Sequence, residues 1–143
     1  MSISFQKLKN SKNALDLYEV NNDTLSRKFS TNNKKFSYKS HLIWLEKILK
    51  NRSQIIYLVK FKKNIIGFIR VNKKKSHKEL SWGLKKKFRG KNYGKKMLKL
   101  FVKKYRSKYK AKINNRNFPS IKICIHAGFT LSAQRIKFNY YKN

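Results

Sequence analysis

Residues 88–98, FRGKNYGKKML, combine two glycines with several basic side chains immediately before an apolar pattern of helical period. Unpaired backbone N–H groups at a helix N-terminus attract anions, and glycine lets the backbone approach a ligand without an intervening Cβ. This stretch is therefore suited to binding pyrophosphate. The nucleotide-binding templates fit poorly, because a Walker loop is one residue longer and has a hydroxyl where this chain has Lys96, and G-x-G-x-x-G is absent. A glycine-containing turn explains the loop equally well when it is taken alone.

Few other side chains are available for acid–base or redox chemistry. The chain has only five acidic residues, three histidines and one cysteine. A single cysteine rules out an internal disulfide framework, so the reducing cytoplasm is the expected compartment. We expect no metal site.

The formal net charge of +33 has two interpretations. It is typical of a protein with a polyanionic partner such as nucleic acid, an anionic membrane or a phosphorylated ligand. It is also typical of a genome rich in A and T, because Lys, Asn, Ile, Phe and Tyr are abundant while Ala, Gly and Pro are scarce. The lysines are spread along the whole chain, which favours the compositional interpretation and makes a dedicated nucleic-acid partner unlikely. The apolar runs are too short to span a membrane, and the N-terminus lacks the apolar core of a signal peptide.

The N-terminal part of the chain predicts a strand, helices and then a meander. Alternation over residues 2–8 indicates a strand, and a helical stretch follows around Leu15–Val20. Residues 21–35 are expected to form a polar loop, and Ser40 is expected to cap a helix whose apolar face carries Leu42, Leu45, Ile48 and Leu49. Two β-rich runs at 55–61 and 65–71 predict a hairpin, and 78–84 a third antiparallel strand.

The C-terminal part predicts helix, strand, helix and strand. Apolar residues from Met97 to Tyr105 indicate an amphipathic helix that begins near Tyr93 or Gly94. A strand is expected at 110–114, then a helix capped by Asn117 with Pro119 in its first turn and Gly128 at its end. The tail from residue 129 has period-two character and should close the sheet. The order predicts one α+β domain over residues 1–143, with a sheet flanked by helices.

Two motifs in this framework resemble the GNAT N-acetyltransferase superfamily. Residues 89–94 are similar to its acyl-CoA pyrophosphate loop, Q/R-x-x-G-x-G/A, with Arg89 in the first position and Gly94 in the last. Asn92 stands where glycine is usual. Because Asn tolerates the left-handed backbone region best among other residues, we predict that Asn92 has positive φ or lies tightly against the pyrophosphate. The second match is N-x-x-S followed by G-F, formed by Asn117, Ser120, Gly128 and Phe129.

The resemblance implies a mostly antiparallel sheet with a splayed parallel strand pair, and direct transfer of acetyl from acetyl-CoA to an amine. The pantetheine arm would lie in the gap between the fourth and fifth strands, where the backbone near Leu84 would polarise the thioester carbonyl. Asn117 and Ser120 would line the other wall of the cofactor groove. The residues implied to hold the pyrophosphate are Arg89, Gly90, Lys91, Asn92, Tyr93, Gly94 and Lys95.

The proton-transfer groups implied by the resemblance are less specific. The amine must be neutral to attack, and Glu79 is the candidate general base; it is equally well explained as an exposed strand-end residue. Cys124 stands where the family usually has a tyrosine that protonates the leaving thiolate. It would be a general acid, or else a buried apolar residue with solvent protonating CoA.

The N-terminal region resembles bacterial GNAT enzymes that acetylate nucleotide-linked amino sugars, including those of pseudaminic-acid pathways. The matching residues are Asn22, Asp23, Arg27, His41, Trp44 and Leu45. Arg27, His41 and Trp44 would suit a UDP-amino sugar, with charge for phosphate and a flat face for base or sugar, although ordinary packing explains Trp44 as well.

Two alternatives to an amino-sugar acetyltransferase remain open. One is an acetyltransferase of the type that modifies the N-termini of ribosomal proteins. The other is a basic nucleic-acid-binding module without catalysis. The chain stops soon after Gly128 and Phe129, which leaves either an incomplete acceptor pocket or one that a partner subunit completes in a homodimer.

Overall fold

The computed structural model describes residues 2–143. Along the chain the elements are β1 (Ile3–Lys7), a 3-10 turn (Ser11–Asn13), α1 (Ala14–Asn21), α2 (Thr24–Lys28), α3 (Tyr38–Lys50), β2 (Gln54–Phe61), β3 (Asn64–Lys73), β4 (Lys78–Leu84), a second 3-10 turn (Lys86–Phe88), α4 (Tyr93–Lys104), β5 (Tyr109–Asn114), α5 (Phe118–His126), β6 (Thr130–Gln134) and β7 (Phe138–Lys142). The strands form one seven-stranded sheet in the order β1-β2-β3-β4-β5-β7-β6. Within residues 2–143, only β4 and β5 pair in parallel. The predicted α+β class and its parallel strand pair are confirmed.

Apolar residues cover both faces of this sheet, because strand side chains alternate between the faces. In β3, Ile69 and Val71 join the core under α4 and α5, whereas Phe68 joins the core under α1 and α3. The first core contains Met97, Leu98 and Phe101 of α4, with the spacing that predicted an amphipathic helix. The second contains Leu17, Val20, Leu45 and Ile48.

Three local predictions differ from the structure in the N-terminal half or at the C-terminus. The expected loop at 21–35 contains the single-turn helix α2, capped by Asp23, which is too short to show apolar periodicity. The third long helix begins at Tyr38 and is capped by Ser37, whose Oγ accepts from the backbone N–H of Ser40 at 3.1 Å, so Ser40 is not the cap. The single strand expected after residue 129 is a hairpin of β6 and β7, and it is β7 that pairs with β5.

Across residues 2–143, no helix is both long enough and apolar enough to cross a membrane. The same residues contain no group of three or more His, Cys, Asp or Glu side chains arranged to hold a metal ion.

Candidate active site

A cavity of about 640 Å³ opens where β4 and β5 diverge. These strands pair only from Lys78 to Leu80 on β4, after which β4 continues along β3 and β5 continues along β7. Ser120 and Ile123 of α5 line the cavity from one side of the sheet, and His41 and Trp44 of α3 line it from the other. The gap therefore connects the two faces of the sheet, which allows two molecules to meet inside it.

Two glycines let the end of β4 pack closely against β3 and α1. Gly67 is paired with Leu84, and a Cβ added to Gly67 would lie 2.2 Å from the carbonyl oxygen of Gly83. A Cβ on Gly83 would in turn lie 2.6 Å from Val20 Cγ1. Leu84 lines the cavity, and its carbonyl accepts a hydrogen bond from Nε of Arg89 at 3.1 Å.

Arg89, the first residue of the predicted pyrophosphate loop, lines the cavity but is already paired. Its Nη2 donates to Oδ2 of Asp23, and Oδ1 of the same carboxylate accepts from the backbone N–H of Ser26 and so caps α2. Lys85 binds Asp16 at 2.6 Å and Glu19 at 3.4 Å. Three of the five acidic residues thus connect α1 and the start of α2 to the segment that follows β4.

The loop between Arg89 and α4 has the backbone that the motif requires. Gly90 has φ of 73° and Asn92 has φ of 65°, so the predicted positive φ of Asn92 is confirmed. Asn92 gives α4 no side-chain cap, and the first helical hydrogen bond runs from Lys96 N–H to the Asn92 carbonyl. The helix N-terminus is therefore available to an anion.

The side chains of this loop divide between packing and solvent. The ring of Tyr93 packs against Phe61 and Phe88, at centroid distances of 5.2 and 5.6 Å. Gly94 is buried, and a Cβ there would lie 2.4 Å from Ile123 Cδ1, so glycine lets α4 approach α5. Lys91 is exposed and Lys95 is half-buried. Of residues 89–95, only Arg89 lines the cavity.

The second predicted motif lies on the opposite wall. Asn117 caps α5, accepting from the backbone N–H of Ser120 at 3.4 Å, and both residues line the cavity. The structure therefore brings Leu84 and Arg89 to one side of the gap and Asn117 and Ser120 to the other, as a cofactor groove between β4 and β5 requires.

Glu79 is not brought into the cavity. It pairs with Asn72 on β3 and Lys110 on β5, its side chain is 49% exposed, and its nearest ion-pair partner is His77 at 3.9 Å. Glu79 remains a proposed general base that would have to act through a chain of water molecules.

Cys124 is fully buried in the core beneath α4 and α5 and does not line the cavity. Burial raises the pKa of the thiol to about 12. Transfer of its proton to a CoA thiolate, whose pKa resembles that of a free thiol at about 8.5, would be uphill. These features favour the packing interpretation over the general-acid interpretation.

We expect Cys124→Ala to retain nearly the full rate of thiol release, because the sulfur does not reach the reacting groups. The variant should lose about 1 kcal/mol of unfolding free energy, the usual size of a small core truncation. Steady-state kinetics and urea unfolding on the same preparation check both parts. A large fall in kcat with unchanged stability would show that the thiol donates a proton.

Aromatic rings surround His41 on the side of the cavity that α3 lines. The imidazole is 1% exposed and lies within 6.4 Å, between ring centroids, of Tyr18, Phe36, Tyr38 and Trp44. Burial lowers the pKa of His41, an effect that the nearby backbone of Ala14 partly opposes, so the ring is neutral at pH 7. Neither ring nitrogen has a hydrogen-bond partner among residues 2–143.

Arg27 chiefly organises the segment after α2. Its Nη1 donates to the carbonyls of Asn32 at 3.0 Å and Lys34 at 3.4 Å, and Nη2 donates to Ser30 Oγ at 3.1 Å. Its guanidinium also lies 4.9 Å from the Phe36 ring centroid. Arg27 lines the cavity, but most of its donors are used within its own loop.

Cavity residues that the sequence did not indicate include Phe36, Arg70, Trp82 and Lys112. One signal was available for Arg70, because a charged side chain in the apolar run IIGFIRV is unusual for an inner strand. The indole N–H of Trp82 is buried without a partner in the described chain. Trp82 and Lys112 face the cavity because β4 and β5 diverge there, and Phe36 lies in the segment that precedes α3. These three positions show no local sequence signal.

Comparison with known proteins agrees with this geometry. The family model described as "Acetyltransferase (GNAT) domain" matches residues 4–130. A search of curated protein sequences finds no significant match.

Several solved structures share the fold at low sequence identity. Spermidine N-acetyltransferase from Vibrio cholerae, solved with CoA and spermine, gives a TM-score of 0.86 at 11% identity and covers 99% of this chain and 94% of that chain. N-acetyltransferase PseH from Campylobacter jejuni, solved with acetyl coenzyme A, gives a TM-score of 0.74 at 21% identity and covers 99% of this chain and 98% of that chain. The Microcin C7 self immunity acetyltransferase MccE, solved with acetyl-CoA and AMP, gives a TM-score of 0.78 at 18% identity and covers 97% of this chain and 91% of that chain.

The family match spans most of the chain, and residues from both predicted motifs, Arg89 of the first and Asn117 and Ser120 of the second, line the gap between β4 and β5. The chain therefore belongs to the GNAT family of acetyltransferases and is an acetyl-CoA-dependent N-acetyltransferase.

Proposed function

We propose that this enzyme transfers acetyl from acetyl-CoA to a primary amine on a nucleotide-linked amino sugar. The observation that carries the proposal is the composition of the cavity. Its lining includes four cationic side chains, Arg27, Arg70, Arg89 and Lys112, and five large aromatic ones, Phe29, Phe36, Trp44, Phe68 and Trp82. No Asp or Glu among residues 2–143 lines it.

This composition argues against a polycationic acceptor. A polyamine carries several ammonium groups, and a protein site binds them with carboxylates or with accessible aromatic faces free of competing cations. Arginines in the same cavity would repel such a substrate. An acceptor that carries phosphate and a flat base is attracted by the same arginines and can stack on the aromatic rings.

The donor half of the proposal rests on the two walls of the gap. Acetyl-CoA would run from the N-terminus of α4, where the pyrophosphate binds, into the space between Leu84 and Ser120. The backbone near Leu84 would then polarise the thioester carbonyl. The acceptor would enter from the side of α3, so that its amine meets the thioester within the gap.

The fold neighbours support this arrangement at the level of the fold. The MccE structure holds both acetyl-CoA and AMP, so a protein of this fold binds a nucleotide as well as the acetyl donor. The PseH structure contains acetyl coenzyme A. The neighbour solved with spermine shows that the fold also serves cationic ligands, and the substrate must therefore be inferred from the cavity residues of this chain.

A thiol-release assay with acetyl-CoA and three acceptors tests the proposal. The acceptors are a UDP-linked amino sugar, spermidine and a short peptide with a free N-terminus, and mass spectrometry identifies each product. We expect turnover with the UDP-amino sugar and little with the other two. Preferential acetylation of the peptide would instead assign an N-terminal protein acetyltransferase, and preference for spermidine would contradict the argument from cavity charge.

A further inference from the structure

Arg70 is the one cavity arginine of the described chain none of whose side-chain donors has a protein partner; Arg27 leaves only its Nε unpaired. It lies on β3 opposite Ser81 of β4, and both residues line the cavity. Among residues 2–143, no side chain or backbone carbonyl accepts a hydrogen bond from its guanidinium, and no carboxylate lies within ion-pair distance. Arg27 and Arg89, by contrast, donate to their own loop and to Asp23.

The guanidinium is also held in a defined place. Its Cζ lies 5.6 Å from the ring centroid of Trp44, which packs against His41. An arginine over an indole face is restrained in its plane, while the edge that carries its N–H groups stays free. Trp44 therefore restricts Arg70 without consuming its donors.

Partial burial of the Arg70 guanidinium favours the binding of an anionic ligand. Arginine keeps its proton under all conditions that a protein tolerates and carries five donors, so removing it from water without an acceptor is costly. Burial lowers the pKa of Arg70, and the negative charge of Glu79 partly opposes that effect. Glu79 nevertheless points largely to solvent and is not in contact range, so it leaves the donors of Arg70 available.

The opposite wall of the cavity supplies a second positive charge. Lys112 of β5 lies on the other side of the gap; its Nζ sits 4.4 Å from the Phe138 ring centroid and only 3.4 Å from Thr31 Oγ1. As with Arg70, no carboxylate of the described chain pairs with it.

We propose that Arg70, restrained by Trp44 and assisted by Lys112, binds the phosphate groups of the acceptor and so determines its specificity. This inference rests on the proposed function, and it assigns the site to the phosphate of a nucleoside diphosphate instead of the phosphates of CoA. Two parallel N–H···O bonds from the guanidinium would hold one phosphate, as is usual for arginine. The amine of the attached sugar would then reach the gap.

Calorimetric titration of UDP and, separately, of acetyl-CoA tests the assignment. We expect Arg70→Gln to weaken UDP binding by about 10- to 100-fold, the usual range for a lost charged hydrogen-bond pair, and to leave acetyl-CoA affinity unchanged. Arg70→Lys should lie between, because lysine keeps the charge without the two-pronged geometry. The matched control is Arg106→Gln, which removes the same charge from an exposed residue outside the cavity and should leave both affinities unchanged.

Several results would overturn the assignment. These are no UDP binding by the wild-type protein, equal UDP affinity in Arg70→Gln and wild type, or an equal loss of UDP affinity in Arg106→Gln. A parallel loss of UDP and acetyl-CoA affinity would assign the residue to the cofactor or to the fold. Circular dichroism melting identifies a misfolded Arg70→Gln protein, and in that case unchanged UDP affinity in Arg70→Lys would itself contradict the two-pronged contact.

Turnover separates this inference from the proposed function. With a UDP-amino sugar, Arg70→Gln should raise KM and leave kcat nearly unchanged, because the phosphate is remote from the bond that forms. If the wild type acetylates the sugar and the variant has the same KM, the assignment of Arg70 fails and the proposed function stands. If UDP binds through Arg70 but no UDP-amino sugar is acetylated, the phosphate site stands and the proposed acceptor fails.

Discussion

Gly67→Ala is expected to remove about 3 kcal/mol of unfolding free energy and to weaken acetyl-CoA binding. The new Cβ would lie 2.2 Å from the Gly83 carbonyl oxygen, a backbone atom that cannot move without shifting β4. Overpacking in a well-packed region typically costs about 1–3 kcal/mol, and this contact is at the severe end. Because Gly67 pairs with Leu84 at the mouth of the gap, the shift would also displace the backbone that we propose to face the thioester. Urea unfolding and acetyl-CoA titration measure the two effects.

The matched control for this prediction is Gly90→Ala in the pyrophosphate loop. A Cβ on Gly90 meets no atom within 4 Å, although its φ of 73° disfavours alanine. We expect Gly90→Ala to lose about 1–2 kcal/mol of unfolding free energy, because alanine disfavours this backbone conformation. If the two alanine variants were equally stable, the close approach of β3 and β4 would have no energetic consequence and the argument from Gly67 would be wrong.

Asn92→Val is expected to weaken acetyl-CoA binding by about tenfold or more, whereas Asn92→Gly should preserve it. Asn92 has left-handed backbone geometry, with φ of 65° and ψ of 7°, immediately before the first turn of α4. The left-handed region costs a residue other than Gly, Asn or Asp about 1–2 kcal/mol of conformational free energy, and a β-branched residue is the least suited to it. Valine would therefore turn the loop away from the conformation that presents the helix N–H groups to pyrophosphate, and about 1.4 kcal/mol corresponds to tenfold in affinity.

Fluorescence or calorimetric titration of acetyl-CoA with the three proteins checks this prediction. Asn92→Ala is a useful intermediate, because it lacks the β-branch but still disfavours positive φ. Affinity should fall in the order Gly or Asn, then Ala, then Val. Equal affinities for the Gly and Val variants would show that backbone conformation at this residue does not control pyrophosphate binding.

The two cofactor motifs were predictable because each is local. Positive φ at Asn92 and capping by Asn117 depend on a few neighbouring residues, and the helix after each follows from apolar spacing within one segment. The hairpin of β2 and β3 is local for the same reason. Local patterns did not predict α2, because that helix is very short. They also did not predict the turn between β6 and β7, because no glycine separates these two strands.

Tertiary structure decided which of the candidate residues meet. Their positions relative to the motifs made Cys124 a candidate general acid and Glu79 a candidate general base. In the structure the Cys124 thiol is buried in the core, and the Glu79 side chain is 49% exposed. Pairing also decided which arginines are free, because Asp23 reaches Arg89 across 66 positions of sequence while no carboxylate of the described chain lies within ion-pair distance of Arg70. The sequence alone therefore determined the family, the α+β class and the positive φ of Asn92 in the predicted acetyl-CoA loop. The proposed acceptor site depends on where β4 leaves β5 and on which charges remain unpaired there, both of which are properties of long-range packing.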